Sequence, residues 1–163
     1  MNFAIVGATG NVGRKTIEIL EKSKIKINKL FLIASKKSAG KTITFKKKKI
    51  KIEALENFDF GKAKITIFAA GSVIAKKWAP IAAKKTIIID NSKHFRMEKD
   101  IALVVPEVNE DALKIYKKRK IIANPNCSTA QLVLVLKPLH EKFQIKRVVV
   151  STYQAVSGAG KAP

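Results

Sequence analysis

Cys127 is the only cysteine in the 163-residue chain, and it stands within "IIANPNCSTAQLVLVL", residues 121–136. An apolar run leads in, Pro125 breaks it, and a second apolar run follows. The pattern predicts a strand, a short break and a helix, with the thiol at the helix N-terminus. Free amides and the positive end of the helix dipole stabilise a thiolate there and make the sulfur nucleophilic. The competing reading is a buried structural cysteine. Such a residue belongs mid-helix or mid-strand on an apolar face, whereas Asn126, Ser128 and Thr129 are all polar.

A second chemical pattern lies at the other end of the chain. "GATGNVG" carries Gly7, Gly10 and Gly13 between an apolar strand and a helical stretch. Glycines in that context let the backbone approach a pyrophosphate, while the helix N-terminus supplies amides for it. The spacing is GxxGxxG, a variant of the commoner dinucleotide pattern, and a tight strand-to-helix turn without a ligand is the alternative. The next strand ends in "IASKKSAGK", where an NAD site usually has a carboxylate for the ribose 2′-hydroxyl. Ser35, Lys36, Lys37 and Ser38 offer hydroxyls and ammonium groups instead, which suit the 2′-phosphate of NADP. One more cluster among many lysines is the alternative there. Gly71, which ends the strand "KITIFAAG", is placed with the cofactor-binding residues.

A nucleophilic thiol beside a nicotinamide points to acyl transfer coupled to hydride exchange through a thioester. That chemistry calls for a general base, usually histidine. The chain has only His94 and His140. His140 lies 13 residues beyond Cys127 on the same predicted helix, about 20 Å along its axis. His94, in "DNSKHFRM", reads either as a base or as an ordinary loop histidine.

The elements that must position these groups alternate. Strands are expected in "NFAIVG", "KLFLIAS", "KITIFAAG", "TIIIDNS", "IALVVPEV" and "KIIANPN". Helices are expected in "VGRKTIEILEKS", with Val12, Thr16, Ile19 and Leu20 toward one side, in "SVIAKKWAPIAAKK", with Pro80 as a kink or early stop, and in "EDALKIYKK". A last helix begins at about Ser128, and "IKRVVVSTYQAV" reads as a further strand. Apolar strands alternating with helices argue for an α/β fold with a doubly wound parallel sheet of Rossmann type.

Bulk properties bound the function. Hydrophobic residues make up 47% of the chain, enough for a sizeable core. No run is long enough to span a membrane, and "MNFAIVGATG" has no basic leader, so a cytoplasmic protein is expected. A lone cysteine fits a reducing compartment. The formal net charge is +21, from 33 basic and 12 acidic residues. All but four of the basic residues are lysines scattered along the chain, with "KKKK" at 46–49 the one dense run. RNA-binding aromatic signatures and zinc spacings are absent. A solvated lysine coat is therefore expected, with no metal and no nucleic-acid partner.

"GATGNVG", "SAGK", "DNS…FR", "LVVPEVN", "NPNCST" and "STYQAVSGAG" resemble, in order and spacing, aspartate-β-semialdehyde dehydrogenase. The related N-acetyl-γ-glutamyl-phosphate reductases share a similar first turn, but their cysteine motif reads closer to "NPGCY". The resemblance implies NADP-dependent reduction of L-aspartyl-4-phosphate to the semialdehyde with release of phosphate, on the way to lysine (through diaminopimelate), threonine and methionine. It implies that Cys127 carries the thioester and that Gln154 orients the substrate. Arg96 would hold the phosphate, with Asn126 beside it. Thr9, Gly10, Asn11 and Val12 would form the pyrophosphate turn, and Lys37 and Ser38 would meet the 2′-phosphate. Ser157 and Gly158 would lie near the nicotinamide. Many members carry arginine in place of Lys37, and lysine lacks the bidentate fork.

The resemblance also implies a homo-oligomer, dimer or tetramer, and a chain roughly twice as long. It would place the catalytic histidine and the α-carboxylate arginine beyond Pro163. Residues 1–126 then read as the NADP-binding domain and 127–163 as the start of an α+β catalytic and dimerisation domain. A catalytically dead nucleotide-binding remnant remains the other reading.

Overall fold

The computed structural model describes residues 1–155. Strand β1 (Asn2–Val6) pairs in parallel with β2 (Lys29–Ala34) on one side and β5 (Ile65–Phe68) on the other. Beyond β5 follow β6 (Ile87–Asp90), β8 (Ile121–Ala123) and β7 (Ala102–Leu103), all parallel. Beyond β2 lies β4 (Lys48–Ala54), with β3 (Thr42–Phe45) antiparallel on its outer edge. The eight described strands form one mostly parallel sheet, ordered β3-β4-β2-β1-β5-β6-β8-β7. Helices α1 (Asn11–Lys22) and α2 (Ser72–Ala83) follow β1 and β5.

Both faces of the sheet are covered, as period-two alternation along the strands requires. Phe3 and Ile5 of β1 join Leu30 and Leu32 of β2 in one core, under Ile17 and Leu20 of α1. Ala4 and Val6 join Phe31 and Ile33 in the opposite core, against Ala75, Ala79 and Ala82 of α2. The alanines are the reason α2 can lie close to the strands. Burying Ile17 and Leu20 contributes about 1.5–3 kcal/mol each, so the tertiary contact, rather than intrinsic propensity, holds the 12-residue α1.

Several expectations need correction. The buried side of α1 is Gly13, Ile17 and Leu20, while Val12 and Ile19 are about half exposed, at 49% and 57%. Contact between Gly13 and the turn before it sets the phase of the helix, which periodicity could not supply. Pro80 does not stop α2, which runs on to Ala83. "IALVVPEV" forms only the two-residue β7, because Pro106 opens the short helix α3 (Pro106–Asn109). "EDALKIYKK" folds as a 3₁₀ segment, Glu110–Ile115. The β3–β4 hairpin was missed because charge hides its alternation. Its turn residues Lys46 and Lys47 adopt φ of 46° and 64°, within "KKKK".

Helix α4 (Cys127–Phe143) forms as expected, but it has no buried residue, and Leu134, Val135, Leu139 and Phe143 are exposed. The expected strand "IKRVVVSTYQAV" does not form over its described part: residues 145–155 are irregular, with Val148, Val149, Val150 and Tyr153 exposed, and Val156 lies outside the described residues. A strand needs a neighbouring edge to satisfy its amides, and none of the described strands pairs with this segment. No helix among the described residues is long and apolar enough to cross a membrane.

Candidate active site

The strand order reverses between β2 and β5, the two neighbours of β1. Open α/β sheets bind ligands in the crevice at the carboxyl ends of the strands at such a point. The turn after β1 stands there. Gly7 adopts φ +86° and donates its amide to the Ile33 carbonyl at 2.9 Å. A Cβ on Gly7 would lie 2.6 Å from the carbonyl oxygen of Ala69, in the turn after β5. A Cβ on Gly13 would lie 2.1 Å from the carbonyl oxygen of Gly7. Two of the three glycines are thus required by close backbone packing. Gly10 is not: a Cβ there would meet only that same oxygen, at 3.4 Å.

Arg14 Nε donates to the Thr9 carbonyl at 3.1 Å and holds the turn closed. No side chain caps α1. The amides of Asn11, Val12 and Gly13, which have no carbonyl four residues back within the helix, are left for a ligand. Gly71, at φ +80°, closes the turn after β5, and a Cβ there would meet nothing within 4 Å. Backbone free of side chains on both sides of the crevice, plus a helix N-terminus aimed at it, fits a dinucleotide pyrophosphate. Ser35, Lys37 and Ser38 lie beyond the end of β2, in a 3₁₀ turn closed by Ser38 N–H donating to Ser35 O at 2.9 Å. Ser35 and Lys37 are exposed.

The thiol lies along the same edge of the sheet. Cys127 is the first residue of α4 and is exposed. Asn126 accepts from the Ser128 amide at 2.9 Å and caps the helix. Its Oδ1 lies 4.0 Å from Cys127 Sγ. The cap thus fixes the thiol's backbone at the end of β8. From β1 to β8 is three strand spacings, about 15 Å.

Arg96 is brought to the thiol's neighbourhood by the loop after β6. Its Nε donates to the Asn124 carbonyl at 2.9 Å and its Nη2 to the Asn91 carbonyl at 3.1 Å. Asn124 Nδ2 donates to Asn91 Oδ1 at 2.7 Å, which ties the ends of β6 and β8 together. The guanidinium is held by backbone carbonyls, and its charge also acts on the nearby Asp90 carboxyl. The sequence assigns no role to Asn91 or Asn124; each directly follows a strand at the same end of the sheet, and that position is the available signal.

Asp90 ends β6 and is fully buried. Ser92 Oγ donates to its Oδ2 at 2.6 Å, and its Oδ1 has no partner. Burial pushes the carboxyl above its ordinary value of 3.8, against the opposing pull of Ser92 and the nearby Arg96. The folded state therefore holds the proton more tightly than the unfolded chain. Stability from this group falls as pH rises from the ordinary carboxylate range through the raised folded value, and stays lower above it. Asp90→Asn cannot ionise. Its stability relative to the parent is expected to improve as pH rises above the ordinary carboxylate range in denaturant titrations; a flat or reversed difference would contradict the assignment.

His94 stacks edge-on against Phe95 with ring centroids 4.6 Å apart, and its amide donates to Ser92 Oγ. His140 sits in the last turn of α4, at the far end from Cys127. Gln154 is exposed, and its side chain reaches only Thr152, at 3.4 Å, so the described structure does not bring it to the thiol. Ser157 and Gly158 lie outside the described residues. No group of three or more His, Cys, Asp or Glu side chains among the described residues is placed to hold a metal ion.

Residues 2–116 match the family model described as semialdehyde dehydrogenase, NAD binding domain, and residues 136–162 match the semialdehyde dehydrogenase dimerisation domain. An aspartate-semialdehyde dehydrogenase 2 of Vibrio cholerae is 49% identical over 162 residues, covering 99% of this chain and 48% of that protein. An aspartate-semialdehyde dehydrogenase of Aquifex aeolicus is 53% identical over 159 residues, covering 96% of this chain and 47% of that one. Among solved structures, the Vibrio cholerae aspartate semialdehyde dehydrogenase II complexed with ASA superposes with a TM-score of 0.96 at 48% identity, over 99% of this chain and 48% of that one. The Candida albicans enzyme with NADP gives 0.70 at 30% identity, over 87% and 47%. The chain spans about half the length of the curated relatives it matches. With its turn glycines, its helix-capped thiol and these matches together, the chain belongs to the semialdehyde dehydrogenase family.

Proposed function

We propose that this chain supplies the nucleotide site and the nucleophile of an aspartate-semialdehyde dehydrogenase. The observation that carries the reading is the placement of Cys127, at the capped start of α4, on the same strand edge as the Gly7–Gly13 turn and the anchored Arg96. In the reductive direction, Cys127 Sγ attacks the acyl carbon of aspartyl-4-phosphate. The bond from that carbon to the phosphate oxygen breaks, and phosphate leaves with the electron pair. Arg96, held by the Asn91 and Asn124 carbonyls, positions and neutralises the departing phosphate. NADPH, when bound, supplies the hydride that turns the thioester into the aldehyde as the thiolate departs.

The amides of Asn11, Val12 and Gly13 would hold the pyrophosphate, with Gly7, Thr9, Gly10 and Gly71 leaving it room. Ser35, Lys37 and Ser38 would face the 2′-phosphate. The pathway roles in lysine, threonine and methionine synthesis and a cytoplasmic location follow from the same reading. So does a homo-oligomer, which the match of residues 136–162 to a dimerisation domain supports. We place the boundary between the two domains at Asn126 and Cys127. Neither histidine of the chain is placed to serve Cys127 on this reading, so the base, the α-carboxylate arginine and the surface that seats Gln154 come from the C-terminal half found in the relatives.

The test is NADPH formation from aspartate semialdehyde, phosphate and NADP. The 163-residue chain alone is expected to give no measurable turnover, because acid–base assistance is worth about 10²–10⁴-fold and substrate orientation more. Supplying the C-terminal half of a relative is expected to restore activity, faster with NADP than with NAD. No activity in the complemented protein would refute the reading, and equal use of NAD would refute the role of Lys37 and Ser38.

A further inference from the structure

The amino ends of the strands, opposite the thiol and the nucleotide crevice, hold a cavity of about 480 Å³. Lys64, Lys85, Thr86, Tyr116, Lys117 and Lys120 line it together with Ile87, and no carboxylate does. Lys85 is neutralised by Asp59 at 2.7 Å. Lys64, Lys117 and Lys120 have no acidic partner among the described residues, whereas the neighbouring Arg119 is paired with Asp100 at 2.8 Å. Lys64, Lys117 and Lys120 are exposed, and three cationic residues lining one hollow favour an anion there.

Their placement is fixed by the sheet. Lys64, Thr86 and Lys120 immediately precede the adjacent parallel strands β5, β6 and β8. The Ile87 amide donates to Lys64 O at 3.1 Å and the Ile88 amide to Lys120 O at 2.8 Å. Lys120 is held at φ +52°, and its amide donates to Tyr116 O at 2.7 Å. Lys64 and Lys120 are thus two strand spacings apart, about 10 Å. That separation lies within reach of two flexible lysine arms, so one phosphate can meet two of them, whereas a chain of linked phosphates carries more charge and extends to all three. The dense lysines at 46–49 form an exposed hairpin turn instead and enclose nothing.

We propose that this cavity binds the oligophosphate group of a small molecule, such as a nucleoside triphosphate or inorganic triphosphate. The site is independent of the dehydrogenase reading, since it shares no residue with the crevice or the thiol. The test is a titration of the chain with inorganic triphosphate in about 0.1 M salt, where exposed charges more than about 10 Å apart are largely screened, followed by amide NMR. Saturable shifts are expected at Thr86, Tyr116 and Lys120, with orthophosphate at least about tenfold weaker. The double variant Lys117→Glu/Lys120→Glu should lose about tenfold or more in affinity at these amides. Lys46→Glu/Lys49→Glu makes the same change in net charge and should leave them unaffected. If the first variant does not fold, Lys64→Ala and Lys120→Ala singly should each weaken binding. Equal weakening by the hairpin variant would reduce the effect to bulk charge and overturn the proposal. So would equal binding of orthophosphate, or a short DNA duplex binding these amides more tightly than triphosphate.

Discussion

Cys127→Ala is expected to abolish NADPH formation in the complemented enzyme, a loss of at least roughly 10⁴-fold. Alanine is tolerated at the first position of a helix, and Cys127 is exposed, so no core contact is lost. The cap survives, because Asn126 accepts from the Ser128 amide and not from residue 127. Stability and NADP affinity should therefore match the parent, which separates loss of the nucleophile from loss of the fold. Cys127→Ser keeps the shape of the side chain but offers a hydroxyl that is scarcely ionised, so it should fail almost as completely. The measurement pairs steady-state rates with calorimetric NADP binding on the same preparation. Turnover within tenfold of the parent would mean that the acyl group is carried elsewhere.

Gly13→Ala should have the largest effect on the fold. A Cβ there would lie 2.1 Å from Gly7 O, 2.8 Å from Gly7 C and 2.9 Å from Ala8 Cα. All three are backbone atoms in the turn itself, so no side chain can swing away. Helix α1 would have to lift off β1, taking Ile17 and Leu20 out of the core they share with Phe3 and Ile5. The expected cost is about 3 kcal/mol or more, read as a drop of roughly 10 °C in Tm. Nucleotide affinity should fall as well, because the first-turn amides move with the helix. Gly10→Ala is the control: its φ of −75° is open to any residue and its nearest contact would be at 3.4 Å. It should fold normally. A Gly13→Ala protein as stable as the Gly10→Ala protein would show that the helix does not pack on the turn as described.

Both predictions rest on groups that the sequence already marked, and the reason is local. A thiol between "NPN" and an apolar helix, and glycines between a strand and a helix, are set by neighbours in the chain. So is the alternation of strands and helices that gives the parallel sheet. The phase of α1 was not local: Val12, Thr16, Ile19 and Leu20 make a plausible stripe, and only the contact of Gly13 with Gly7 selects Gly13, Ile17 and Leu20. The hairpin β3–β4 was hidden because lysines occupy its exposed positions and its turn.

What the tertiary structure decided is which strand ends become neighbours. The sheet order puts β6 beside β8, and only that adjacency brings the Asn91 and Asn124 carbonyls together as the seat of Arg96, residues 33 apart in sequence. The same adjacency at the opposite edge gathers Lys64, Lys117 and Lys120 from distant stretches into one hollow. The sequence by itself determined the place of the thiol at a helix start, the glycine turn between strand and helix, and the fold class, because each is written in residues next to one another. Strand pairing between distant segments is settled by burial on both faces of a sheet, which no short stretch records. Residues 145–155 show the same rule from the other side. Their apolar pattern reads as a strand, yet they stay irregular because a strand exists only where another edge accepts its hydrogen bonds.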